Sequence, residues 1–240
     1  MPVAAPQKNV NAIEALLAKA RQAGRRTLTE TESKQVLTLA GIRVPREEVV
    51  PNAAEAVRAA QELGFPVVLK IVSPDIAHKS DVGGVRLGLN SPEAVRQACE
   101  KMLDNIRARC PQARVEGVLV GEMLGGLEVI LGTATDPTFG PVVMFGLGGV
   151  LVECLEDVAF RMIPIDRQDA AEMLAEIKGA PLLNGFRGSP PVNKDSIIEA
   201  LLNLSEVASR FGNVIQEIDI NPLLATPEGA VAVDALVKLK

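Results

Sequence analysis

Apolar positions along this chain fall into two rhythms, and each predicts a different element. Near the start, Ile13, Leu16, Leu17 and Ala20 recur at helical spacing within residues 12–23, and Gly24 ends the run. Thr29-Glu30-Thr31-Glu32 opens a second helix, in which Val36, Leu37, Leu39 and Ala40 lead to Gly41. Residues 42–45 are short and extended. Asn52 caps a helix over Ala53–Leu63 that stops at Gly64. Ser91-Pro92-Glu93 opens another, expected to reach Arg109, since proline suits the first helical turn. Between those two helices the rhythm changes to continuous apolar runs. Val67–Val72 and Val85–Leu89 predict strands on either side of a polar loop.

The second half changes character. Residues 117–123 and 127–133 predict two strands joined at Gly125-Gly126, a hairpin signal. Residues 141–145 predict another strand, closed by Gly146-Leu147-Gly148-Gly149, and 159–165 a further one. A helix over 167–178, a Gly/Pro-rich loop over 179–193 and a helix from Asp195 to Phe211 follow. Two last strands, 214–224 and 230–238, flank the turn Thr226-Pro227-Glu228-Gly229. The order predicts an α+β fold in two lobes. Residues 1–26 are a helical extension, 27–115 a first lobe with a short mixed sheet, and 116–240 a second lobe with a mostly antiparallel sheet.

Composition narrows the function. A chain of 240 residues, 48% hydrophobic and 23% charged, can bury a full core. A net charge of −5 without a Lys/Arg run argues against nucleic-acid and membrane-surface roles. There is no Trp or Tyr and only six Phe, so bases find hardly any stacking platform. Cys99, Cys110 and Cys154 show neither pairing nor metal spacing, and the odd count fits a reducing compartment. With one histidine besides, a zinc site is close to excluded. The N-terminus lacks the apolar centre of a signal peptide, and no apolar run approaches the roughly 18 residues of a membrane span. A cytoplasmic location is expected.

The single histidine, His78, stands in the loop of PVVLKIVSPDIAHKSDVGGV, eight residues after the strand lysine Lys70. Gly83-Gly84 close that loop with backbone able to approach a ligand closely. A neutral-pH nucleophile, a strand-end lysine and a glycine pair form a phosphate-handling grouping; an isolated surface histidine is the plainer alternative. Near the C-terminus Glu217, Asp219 and Asn221 recur at a period of two and share one sheet face, opposite Ile218 and Ile220. Asp234 is the only charged residue in positions 230–237, and a lone carboxylate in an apolar strand is expensive unless it meets a cation. Oxygen donors from two adjacent strands suit Mg²⁺, although an edge strand with a polar face, broken by Pro222, has the same look. Glu122 and Glu128 punctuate apolar strands, suited to a ribose hydroxyl, to a second metal or simply to solvent. Arg161 and Arg187 are candidate anion clamps, and Gly146–Gly149 either cradles a phosphate or is an ordinary strand-end turn. P-loop, Rossmann and kinase signatures are all absent.

The segments PVVLKIVSPDIAHKSDVGGV, LEVILGTATDPTFGPVVMFGLGGVLVECLEDVAFRMIPI and EIDINPLL…VAVDA resemble the ATP-grasp domain of ADP-forming acyl-CoA synthetases, over roughly residues 27–240. The likeness is strongest to the free-standing β subunits of the acetyl-CoA type, relatives of succinyl-CoA synthetase β subunits. The resemblance implies an ATP-grasp fold binding ATP or ADP with Mg²⁺, with Lys70 on the nucleotide phosphates and Glu122 and Glu128 along the cleft. It implies that Asn221 and Asp234 are Mg²⁺ ligands and that His78 relays phosphate between a CoA-binding α subunit and ADP. It further implies that this partner supplies the CoA-binding and ligase parts, which the chain itself lacks. Two rival readings stand beside it: an ATP-grasp ligase working through a direct acyl phosphate, which leaves His78 idle, and a non-catalytic nucleotide-binding regulatory module.

Overall fold

Helices start where cap residues stand. The computed structural model describes residues 7–76, 79–149 and 157–240. Helix α1 (Gln7–Gln22) is followed by α2 (Glu30–Leu39), whose capping box pairs Thr29 with Glu32 in both directions. Arg25 then grips Glu32 with two bonds, of 2.6 and 2.8 Å, and this holds the Glu32 carboxyl below its ordinary pKa. Helix α3 (Ala53–Leu63) is capped by Asn52, and α4 (Pro92–Arg109) by Ser91 with Pro92 in its first turn. In the second half come α5 (Arg167–Glu176), α6 (Ala180–Leu183) and α7 (Lys194–Phe211). The short α6 sits inside the stretch expected to be loop.

The chain divides into two compact units, Pro45–Leu124 and the remainder, Met1–Val44 with Gly125–Lys240. The smaller unit holds a sheet in the order β1-β4-β2-β3, made of β1 (Glu47–Val50), β2 (Val67–Val72), β3 (Val85–Leu89) and β4 (Gly117–Glu122). Every pairing in it is antiparallel, so the expected mixed sheet is corrected. Val67, Leu69 and Ile71 pack with Ala56, Ala59, Ala60, Val95, Cys99, Met102 and Ile106, which puts α3 and α4 on one face.

The larger unit holds the order β10-β8-β5-β6-β7, with β9 beside β8. Its strands are β5 (Leu127–Asp136), β6 (Gly140–Leu147), β7 (Val158–Met162), β8 (Ile215–Thr226), β9 (Gly229–Ala232) and β10 (Leu236–Leu239). All its pairings are antiparallel. Its core joins Val129, Leu131, Val143, Phe145, Ile218 and Ile220 to residues of α5 and α7 and to Val10, Ile13, Leu17 and Ala20 of α1. The N-terminal helix is therefore part of this core.

Two expectations fail for one reason. Strands β4 and β5 do not pair: β4 lies between β1 and β2, and β5 between β8 and β6. Gly125-Gly126 is a crossing between units. A Cβ on Gly126 would lie 2.8 Å from the Ala225 carbonyl oxygen, so close backbone approach explains a glycine that reads as a turn. The boundary accordingly falls at 124/125, with residues 1–44 joining the larger unit, where the sequence suggested 115/116.

Candidate functional site

The register of the larger sheet sorts the chemistry by face. Asp219 pairs with Gly132 and Leu236, Gly132 with Met144, and Met144 with Phe160. Directly opposed residues in antiparallel strands share a face. Asp219 and Asn221 thus lie on the face opposite Ile218 and Ile220, which are buried in the core under the helices. Lys238 pairs with Glu217 on that same polar face, Nζ to Oε1 at 2.9 Å. Burial pushes the Asp219 carboxyl above its ordinary value; the charges of Glu217 and Asp234 push the same way, and Lys238 pulls it back.

Both strands around this acid are irregular at one level. Strand β8 carries an extra residue against β5 between the pairs Leu131–Ile220 and Val129–Leu223, a bulge at Asn221-Pro222. Proline has no N–H for the ladder there. Across from it, residues 233–235 belong to no strand, and β9 and β10 flank the gap. Leu223 pairs with Ala232 and Asp219 with Leu236, so the same register carried through the gap sets Asn221 opposite Asp234. The Val233 N–H donates to the Pro222 carbonyl at 3.1 Å and the Ala235 N–H to Asp234 Oδ1 at 2.8 Å, fixing the local chain. Among the described residues no group of three or more His, Cys, Asp or Glu forms a self-contained metal cage. One amide and one carboxylate oxygen fit Mg²⁺, which takes the rest of its shell from water and phosphate.

Glu128 belongs to this polar face as well. It is exposed on β5, and its side chain lies along the backbone that follows β6. Gly148 N–H donates to the Glu128 carbonyl at 2.7 Å. A Cβ on Gly149, whose φ is +69°, would stand 2.8 Å from Glu128 Oε2. Arg161 does not belong here. It pairs with Val143 of the core face, and its guanidinium donates to Glu176 of α5 at 2.7 Å. The register thus directs this candidate anion clamp toward the helices. Arg187, with φ 50°, stacks over Phe186 at 5.3 Å.

In the smaller unit, Lys70 is half-buried on the sheet face away from α3 and α4, alternating with the core residues Leu69 and Ile71. Glu122 has the opposite parity, since it pairs with the core residue Val67. Its carboxylate accepts from Arg46 N–H at 2.9 Å and Arg46 Nε at 2.6 Å, and Arg46 also reaches the Leu63 carbonyl at the end of α3. Gly83 has φ +72° and donates to Ser80 O at 3.0 Å. Gly84 is buried, and a Cβ there would lie 2.5 Å from Ile71 Cγ2, so its lack of a side chain serves packing. His78, with Ala77, lies outside the described residues. Two side chains carry no mark in the sequence: Arg46, with no spacing that announces Glu122 as its partner, and Asp157, a buried acid just before β7.

Residues 19–239 match the ATP-grasp domain family. The chain is 47% identical over 226 residues to the acetate–CoA ligase [ADP-forming] I subunit beta of Pyrococcus furiosus, covering 91% of this chain and 97% of the relative. Among solved structures it is similar to the dinucleotide forming acetyl-coenzyme A synthetase 1 of Ca. Korarchaeum cryptofilum in complex with coenzyme A, Ca-AMPCP and HgCl⁺. The TM-score is 0.90 at 45% identity, covering 94% of this chain and 99% of that one. A second structure of that enzyme holds coenzyme A and Mg-AMPPCP, with a phosphohistidine segment pointing towards the nucleotide binding site. It matches with TM-score 0.83 at 44% identity, covering 95% and 100%. No described helix is long and apolar enough to cross a membrane. By fold, by the match along nearly its whole length and by these relatives, the chain belongs to the ATP-grasp family, in the group of the ADP-forming acetate–CoA ligase β subunits.

Proposed function

We propose that this chain is the nucleotide-binding subunit of a cytoplasmic ADP-forming acyl-CoA synthetase, which moves phosphate between a phosphohistidine and ADP. The observation that carries the reading is its near full-length likeness to such a β subunit. Asn221 set opposite Asp234 on a polar sheet face supports it. A CoA-binding α subunit completes the enzyme as a hetero-oligomer and supplies the phosphohistidine. The phosphorus–nitrogen bond on the partner breaks as one forms to His78, and the phosphoryl group then passes from His78 to a terminal oxygen of ADP. Such transfers need positioning and charge neutralisation above all. Lys70 faces the phosphates, Glu128 lines the nucleotide, and Asn221 and Asp234 would hold Mg²⁺, whose charge offsets that of the phosphates when bound. Glu122 and Arg161 are engaged by Arg46 and Glu176 respectively, so this reading rests on the other residues.

His78 is the only histidine in the chain, so a phosphohistidine on it has one address. Incubation with radiolabelled ATP and Mg²⁺ should give an acid-labile, base-stable phosphoprotein, and His78→Ala should abolish this label while retaining nucleotide binding. If His78→Ala with its partner still makes ATP from acyl-CoA, ADP and phosphate at near the wild-type rate, direct acyl-phosphate chemistry replaces the relay.

A further inference from the structure

Asp157 takes no part in the chemistry proposed above, yet it is only 5% exposed and sits beyond the C-terminal end of a helix. α5 ends just before this point and Gly179 is the N-cap of α6, so the acid is buried between the end of one helix and the start of the next. Two backbone groups hold it: Lys178 N–H and Gly179 N–H each donate to the carboxylate at 2.7 Å. Gly179 is in turn pressed against β6, since a Cβ there would lie 2.1 Å from Leu147 Cδ1. Strands β6 and β7 are thus fastened to one two-residue backbone, β6 through Leu147 and β7 through Asp157. The residues after Leu147 are Gly148 and Gly149, against which the Glu128 side chain lies.

We propose that Asp157 is a positioning residue for the nucleotide: through Lys178–Gly179 and Leu147 it sets the Gly148–Gly149 backbone that supports Glu128. This rests on the function proposed above. Asp157→Asn is the informative change, because it keeps size while replacing one acceptor oxygen with an NH₂ that faces a backbone N–H.

The test is calorimetric titration of the purified full chain with Mg·ADP, beside urea unfolding. Asp157→Asn should weaken binding about tenfold, the scale of one lost bond to a charged group. In a Glu128→Ala background the same substitution should change affinity far less, a coupling that a purely structural role would not give. If Asp157→Asn folds too poorly to titrate, Leu147→Val, which shortens the other arm of the clasp, should show the same coupling to Glu128. Wild-type affinity in the folded variants, or equal losses with and without Glu128, overturns the inference. Wild-type protein that binds no Mg·ADP overturns the functional reading itself, a result distinct from the other two.

Discussion

Asp234→Asn should separate two effects that usually travel together. The amide keeps an oxygen able to accept the Ala235 N–H, now 2.8 Å from Asp234 Oδ1, so this bond between β9 and β10 is retained. What disappears is one negative charge beside Asp219 and Glu217. Asp234 is one of the groups that make the Asp219 charge unfavourable, so without divalent cation the variant should unfold in urea no earlier than wild type. Mg·ADP binding should move the other way. Losing a charge-assisted contact to the cation costs about 1.5–3 kcal/mol, which is roughly ten- to over a hundredfold in dissociation constant. Calorimetric titration with Mg·ADP, repeated with ADP and EDTA, reads the difference. The loss should be confined to the Mg²⁺ titration. Wild-type affinity with Mg²⁺, or an equal loss in EDTA, would refute the metal assignment.

Two further substitutions probe the scaffold. Gly84→Ala places a Cβ 2.5 Å from Ile71 Cγ2, in a core residue with no exposure, and overpacking of this kind costs about 1–3 kcal/mol in urea unfolding; unchanged stability would mean that the pair is free to move. Leu17→Ala empties a 2% exposed position on α1 and should cost about 2–5 kcal/mol, whereas a detachable N-terminal extension would show none of that loss.

Much of this fold was legible because caps and periodicity are local. Asn52, Ser91 and the Thr29–Glu32 box start the expected helices, and the period-two alternation of β8 puts Asp219 and Asn221 on one face as read. What failed depended on partners distant in sequence. Glycine pairs look alike whether they turn a hairpin or let two backbones pass, so nothing local told Gly125-Gly126 from a turn. Glu122 and Arg161 were singled out as charges among apolar neighbours, which is sound as far as it goes. Which face each charge takes depends on the register against Val67 and Val143, and their partners Arg46 and Glu176 lie 76 and 15 residues away. The acid Asp157 was passed over because its ligands are two backbone N–H groups, and a sequence carries no mark for those.

Strand β8 has consequences for how this protein tolerates change. Its residues alternate between Ile218 and Ile220, sealed in the core, and Glu217, Asp219 and Asn221, turned to the polar face. A variant library tiled along the strand should therefore oscillate with a period of two, damage to folding yield at one position and damage to turnover at the next. At the bulge the beat slips by one residue: Leu223 is buried again, two places after Asn221. That phase slip is a signature a deep mutational scan would read without any structure, and it would mark the spot where the ladder opens at Asn221-Pro222.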